Sequence, residues 1–124
     1  MEVILQILLI LVTLICFLGG INLILKGAGP FLSKEAGPQP KVDNLFRFLS
    51  GIYLGMGLLM IWIVIHMKEV PGLIYAVGTV VVFSGLGRLY SKMKVGSAGK
   101  YFDNIMIAEL SLGLAIIILQ FLMV

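Results

Sequence analysis

Four long apolar runs constrain the fold of this chain more than any other feature of its sequence. They extend over residues 3–25, 45–66, 72–90 and 105–124. Each is close to the roughly 20 residues that an α-helix needs to cross about 30 Å of hydrocarbon. Lipid offers backbone N–H and C=O groups no hydrogen-bond partner, so such a span must be helical. The sequence therefore predicts an all-α fold, an integral membrane antiparallel four-helix bundle that forms a single domain over residues 1–124.

The composition agrees with spans that face lipid. The chain is 60% hydrophobic and 12% charged, whereas a soluble domain is typically about half apolar and about a quarter charged. The sequence contains no soluble module on which the net charge of +3 could form a basic surface. We therefore attribute it to topology and contact with anionic lipid, and expect no nucleic-acid partner. The lone Cys16 excludes a disulfide framework and a thiolate metal site, and no cofactor motif is present.

Basic residues are distributed unevenly between the two ends of the predicted spans. Lys68 lies near the short turn, whereas eight others lie at or near the longer loops, residues 26–44 and 91–103. This bias predicts an inner-membrane protein with both loops in the cytoplasm and both termini outside. The first run starts with acidic Glu2 and is too long for a signal-peptide core, so we expect it to remain as a helix. The eight basic residues are Lys26, Lys34, Lys41, Arg47, Arg88, Lys92, Lys94 and Lys100.

Most polar side chains inside the spans lie toward the end that carries the longer loops. Asn22 is near the end of the first span, Arg47 near the start of the second and Arg88 near the end of the third. An arginine can extend to the interface, so anchoring is one interpretation of both. Glu109 is shorter and deeper. From Glu109 to Val124 the chain covers about 22 Å of a roughly 30 Å core, which leaves the carboxylate about 8 Å deep.

An unpaired carboxylate at that depth would cost on the order of several kcal/mol. We therefore expect Glu109 to pair with Arg88, with Arg47 or with both, because a guanidinium presents parallel N–H donors to a carboxylate. Such a pair has two interpretations. It is either a structural ion pair that fixes the register of the helices or part of a ligand site.

Small and capping residues indicate how the spans connect and pack. Gly51 and Gly55 form a G-x-x-x-G pattern in the second span, and we expect this face to lie against a neighbouring helix. Asp43 and Asp103, each followed by an asparagine, precede the second and fourth spans and are predicted N-caps.

The two halves of the sequence are also weakly similar. Residues 17–23 can be aligned with residues 83–89, and residues 43–45 with residues 103–105. Parallel repeats with a binding site between them occur in transporters. Chance similarity between glycine-containing apolar helices is the alternative explanation.

Two stretches carry a family resemblance. Residues 43–59 read as N-x-x-R-F-x-x-G-x-x-x-G, and residues 83–91 contain G-x-G-R, followed by a glutamate in the last span. This pattern resembles a bacterial family of small four-span membrane proteins with no assigned function. Size and layout are similar, more loosely, to the DoxX-like membrane proteins. The resemblance implies a role for Asn44, Arg47, Arg88 and Glu109 but implies no reaction.

Three functions remain open on this basis. The favoured one is a module that binds or moves a lipid or other small amphiphile through a polar pocket near the cytoplasmic face, formed by Asn22, Asn44, Arg47, Arg88 and Glu109. Two arginines suit an anionic group. The second is an accessory subunit of a membrane complex, with a homo-oligomer or another membrane protein as partner. The third is an enzyme in which Glu109 acts as acid or base, although we expect no His, Ser or Cys partner at its depth.

Overall fold

The computed structural model describes residues 1–31, 37 and 39–123, and the predicted all-α fold is confirmed. Four long helices follow one another: α1 (Glu2–Lys26), α2 (Pro40–Ile65), α3 (Pro71–Val95) and α4 (Lys100–Met123). A short 3₁₀ helix at Gly29–Phe31 follows α1. Each long helix is apolar and long enough to cross a membrane. Lys34, one of the basic residues used to predict topology, lies outside the described residues.

Three helix ends lie five residues beyond the limits of the apolar runs. Both α2 and α4 begin five residues before the predicted spans, and α3 ends five residues after its span. Proline suits the first turn of a helix, so α2 starts at Pro40. The predicted N-caps are therefore wrong, because Asp43 and Asp103 already lie within the first turn of α2 and α4. The helices continue past the apolar runs because polar residues in water can also adopt a helical backbone.

The chain divides into two compact units, which we describe separately. The first unit is Leu9–Ile65, containing most of α1 and all of α2. The second unit is Met1–Leu8 together with the chain from His66 onward, containing α3 and α4. The single domain over residues 1–124 stays a prediction.

In the first unit, α1 and α2 form an antiparallel hairpin that packs through Gly20 and Gly57. A Cβ atom placed on Gly20 would lie 2.9 Å from the side chain of Leu54 and 3.2 Å from its backbone nitrogen. A Cβ atom on Gly57 would lie 2.9 Å from the ring of Phe17. The prediction for Gly51 and Gly55 is wrong, because both are exposed and a Cβ atom on either would meet nothing within 4 Å.

In the second unit, α3 and α4 approach so closely that no side chain fits between them at Gly113 or Gly85. A Cβ atom on Gly113 would lie 2.7 Å from the backbone nitrogen of Val82 and 2.8 Å from the carbonyl oxygen of Gly78. A Cβ atom on Gly85 would lie 2.7 Å from the side chain of Leu110. Small residues allow this approach, which replaces the hydrophobic drive that helices lack in lipid.

The two hairpins differ in register. The alignment of the two halves carries Gly20 and Leu54 onto residues 86 and 114, whereas the second hairpin places Gly85 against Leu110. The contact is therefore displaced by more than one helical turn of 3.6 residues. Sequence similarity between the halves does not extend to the way each hairpin packs.

Candidate functional site

The central feature of the second unit is a carboxylate held at both oxygens. Arg88 Nε donates to Glu109 Oε1 at 3.0 Å, and Ser84 Oγ donates to Oε2 at 2.6 Å. The same hydroxyl lies 2.7 Å from the carbonyl oxygen of Val81, so its one proton is shared between the two acceptors. Ser84 and Arg88 are four residues apart on α3, so both project from one face of that helix. Glu109 comes from the facing helix, α4. The predicted pairing of Glu109 with Arg88 is confirmed.

The close approach of α3 and α4 brings Glu109 within hydrogen-bonding distance of Ser84 and Arg88. Glu109 directly precedes Leu110, whose side chain occupies the space that a Cβ atom on Gly85 would fill. Because no side chain at position 85 separates the helices, a glutamate of ordinary length reaches Ser84 and Arg88. The side chain of Glu109 is 17% exposed and that of Arg88 34%. The pair is thus partly shielded from solvent, and the carboxylate lies deeper than the guanidinium.

Next to this pair lies a cavity of about 150 Å³, which we call the loop-end cavity. Its charged lining consists of Arg88 and Lys92 from α3 and Asp103 from α4. Each cation has a carboxylate partner, because Lys92 lies 3.4 Å from Asp103 and Arg88 bonds Glu109, which does not itself line the cavity. Aromatic and thioether groups add apolar surface. The lining residues are Arg88, Ser91, Lys92, Gly96, Ala98, Phe102, Asp103 and Met106.

Asp103 organises the loop that closes this cavity. Its carboxylate accepts a hydrogen bond from Ser97 Oγ at 2.8 Å and lies 3.4 Å from Lys92 Nζ. Ser97 Oγ in turn accepts from the backbone N–H of Gly99 at 3.0 Å. The loop between α3 and α4 is therefore tied by side chains to the start of α4.

In the first unit, Arg47 has partners on its own hairpin. Its Nε donates to Asp43 at 2.8 Å, and its Nη1 donates to the carbonyl oxygen of Ile24 at 3.0 Å. Asp43 also accepts from the backbone N–H of Ala28 at 3.2 Å. Ile24 is in the last turn of α1, whose carbonyl groups have no partner within the helix. Arg47 and Asp43 therefore cap the end of α1, a role the sequence did not indicate.

Gly27 makes this cap possible. Its φ of +61° lies in the left-handed region, and its N–H donates to the carbonyl of Leu23 at 2.7 Å. A Cβ atom at this position would collide with Asp43. Glycine is therefore required here for both its backbone conformation and its lack of a side chain.

The two asparagines of the predicted cluster have no comparable contacts. Asn22 in α1 and Asn44 in α2 are exposed, and neither side chain donates to or accepts from another residue within the described part of the chain. Of the predicted cluster, Arg88 and Glu109 therefore form a hydrogen-bonded pair within the second unit. A ligand-binding role for Asn22, Asn44 and Arg47 stays a prediction.

A family model matches residues 4–120, a range that contains almost all of the four helices. The chain belongs to DUF4345. This family is described as a domain of unknown function, and it agrees with the expected four-span family of no assigned function. No curated protein and no solved structure matches the chain.

Sequence reasoning missed several residues that complete the site of this DUF4345 chain. The expectation that Glu109 has no serine partner is wrong, because Ser84 donates to it. The four-residue spacing between Ser84 and Arg88 was the available signal, since it places both on one helix face. Lys92 continues that face by four more residues. The contribution of Asp103 depends on a loop conformation that periodicity does not reveal.

Proposed function

We propose that this protein binds, or moves, a lipid or other small amphiphile with an anionic headgroup at the loop-end cavity. The observation that carries the proposal is the placement of Arg88 and Lys92 in one cavity with the apolar side chains of Phe102 and Met106. An amphiphile needs both kinds of surface. The cations suit a phosphate, and the apolar groups suit the start of an acyl chain.

The arrangement around Arg88 favours binding of an anion over chemistry at Glu109. Both oxygens of the carboxylate accept hydrogen bonds, from Arg88 and from Ser84. Glu109 itself does not line the loop-end cavity, whereas Arg88 does. Its role in the proposal is to orient Arg88, so that the guanidinium is fixed beside the cavity before a ligand arrives.

The charge distribution along the sequence supports a cytoplasmic location for this cavity. Lys92, Lys94 and Lys100 all lie at the same end of α3 and α4. Basic residues beside a span favour the cytoplasmic side, where anionic lipids are also concentrated. Orientation and ligand charge thus agree in the proposal.

Lipid analysis of two matched lysine variants tests the proposal. Lys92→Gln removes a charge from the cavity lining, whereas Lys94→Gln removes an exposed charge from the same helix that does not line the cavity. Each protein is purified in mild detergent with phosphatidylglycerol and phosphatidylcholine at equal concentration, and the bound lipid is measured by native mass spectrometry. We expect Lys92→Gln to lose phosphatidylglycerol selectively by about tenfold. Equal retention by both variants would contradict the proposal.

A further inference from the structure

A second cavity lies at the other end of the α3–α4 hairpin, and we call it the turn-end cavity. Its volume is about 320 Å³. It is lined by the start of α1, the turn before α3 and the last residues of α4. The lining residues are Glu2, Met67, Lys68, Pro71, Gln120 and Met123, all in the second unit.

Gln120 is the unusual member of this lining. Its residue is only 7% exposed, yet within the described residues its amide makes no hydrogen bond to another side chain or to the backbone. An amide that finds no partner inside the protein needs one from outside it, because an unmade hydrogen bond at a shielded polar group is costly. Since no fully enclosed side-chain atom among the described residues lacks a partner, the amide of Gln120 reaches the cavity. A ligand there would supply its missing hydrogen bonds.

Among the described residues of the lining, the two charged groups cancel each other. Lys68 Nζ lies 3.3 Å from Glu2 Oε1 at the rim. A purely anionic ligand would meet the carboxylate of Glu2, and a purely cationic ligand would meet the ammonium of Lys68. A zwitterion can satisfy both at once, and the amide of Gln120 both donates and accepts. By contrast, two cations and one carboxylate line the loop-end cavity, and the second carboxylate, Glu109, lies behind Arg88.

The distance between the two cavities along α4 matches the thickness of a membrane. Asp103 in the loop-end cavity and Gln120 in the turn-end cavity are 17 residues apart on α4. At 1.5 Å per residue this separates the two cavities by about 25 Å, close to the thickness of the hydrocarbon core. When one cavity is at one membrane surface, the other is at the opposite surface.

We infer that the turn-end cavity binds an ammonium–phosphate zwitterion, the headgroup chemistry of phosphatidylethanolamine. The phosphate lies toward Lys68, the ammonium lies toward Glu2, and Gln120 bonds the phosphate or glycerol oxygens. The thioethers of Met67 and Met123 line the cavity beside the first part of the acyl chain. This inference stands apart from the function proposed for the loop-end cavity.

The test compares two glutamines at the same end of the protein. Gln120→Leu removes the buried amide, and the control Gln6→Leu removes an exposed glutamine from α1. The full chain is purified in mild detergent with phosphatidylethanolamine and phosphatidylglycerol at equal concentration, and the retained lipids are counted by native mass spectrometry. We expect Gln120→Leu to lose phosphatidylethanolamine by about tenfold, the effect of one hydrogen bond to a charged group. Phosphatidylglycerol should be unchanged, and Gln6→Leu should match the unmodified chain.

A second variant covers the case in which Gln120→Leu does not fold. Lys68→Gln alters only an exposed rim residue, 77% exposed at its side chain, and should show the same selective loss. Wild-type retention of phosphatidylethanolamine by Lys68→Gln, or equal loss of both lipids, would overturn the inference. Added soluble phosphoethanolamine separates two sources of the same chemistry: displacement of the lipid indicates recognition of the headgroup alone, and no displacement indicates that the acyl chain is also needed. Failure of Lys92→Gln at the other cavity would leave this result unaffected.

Discussion

Arg88 and Glu109 lie 21 residues apart in the sequence, yet Arg88 Nε is 3.0 Å from Glu109 Oε1. The contact joins α3 to α4 where a glycine lets the two helices approach, and it fixes one side of the loop-end cavity. The ion pair is therefore both a packing element of the hairpin and the support of a candidate binding group. The predictions below separate these roles.

The ion pair should show strong non-additivity. Glu109→Leu leaves the partly buried Arg88 without its carboxylate, so we expect a loss of about 1–3 kcal/mol in the free energy of unfolding. Adding Arg88→Met should recover part of that loss, because both charges are then absent. Unfolding in detergent is followed for the two single variants and the double variant. Additive losses would show that the two side chains do not interact.

Ser84 should matter through Glu109. Ser84→Ala removes the donor to Glu109 Oε2 and should destabilise the protein by about 1 kcal/mol. Ser111→Ala, an exposed serine on α4, is the matched control and should change little. The same Ser84→Ala substitution made together with Glu109→Leu should have a smaller further effect, that of the remaining hydrogen bond to the carbonyl oxygen of Val81. A full effect in that background would assign Ser84 a role independent of the carboxylate.

The glycines of the two hairpins should respond in opposite ways to a methyl group. Gly113→Ala would force a Cβ atom against the backbone of α3, so we expect a loss of about 3 kcal/mol or more. Gly51→Ala and Gly55→Ala meet open space and should be neutral or stabilising, because alanine favours a helix by about 1 kcal/mol over glycine. Thermal unfolding in detergent distinguishes them. Strong destabilisation by Gly51→Ala would show that this face of α2 contacts another helix.

The cap at the end of α1 should depend on Gly27. Alanine there would adopt a left-handed φ and meet the carboxylate of Asp43, so we expect a loss of at least about 1–2 kcal/mol. Gly29→Ala is the control, since a Cβ atom on Gly29 meets nothing within 4 Å. Similar unfolding temperatures for the two variants would show that this cap contributes little.

Topology can be tested with single cysteines in a chain in which Cys16 is replaced by alanine. A cysteine at position 97, in the loop between α3 and α4, should be protected from an impermeant thiol reagent in intact cells. A cysteine in place of Glu2 should react. The reverse pattern of labelling would overturn the cytoplasmic location proposed for the loop-end cavity.

The sequence predicted the four helices well, because apolar runs of membrane length leave the backbone no alternative to a helix. It also predicted the pairing of Glu109 with Arg88, since a deep carboxylate needs a cation. It predicted helix ends and packing faces poorly. Asp43 lies inside α2, and the G-x-x-x-G face at Gly51 is exposed. Hydropathy indicates which residues can lie in lipid, but it does not indicate where a helix ends. A small residue allows close packing, but it does not specify which helix it faces.

The two cavities were beyond sequence reasoning for a related reason. No sequence pattern marks Lys92, Asp103 or Gln120 as a cavity residue. Each lines a cavity only because the register of the hairpin brings separate segments together. That register depends on backbone contacts at Gly78 and Gly113, which periodicity alone does not determine. Only the three-dimensional arrangement shows that Gln120 lines the turn-end cavity and that its amide has no hydrogen-bond partner among the described residues.

Photo-crosslinking with an anionic lipid tests the central claim, that the loop-end cavity holds an anionic headgroup. A phosphatidylglycerol analogue with a diazirine close to its headgroup is mixed with the full chain in detergent and irradiated, and the labelled peptides are identified by mass spectrometry. Labelling should concentrate in residues 88–106 and should be displaced by unlabelled phosphatidylglycerol but not by phosphatidylcholine. Lys92→Gln should reduce it, whereas Lys94→Gln should not. Labelling spread evenly over the four helices, or displaced equally by both lipids, would contradict the account.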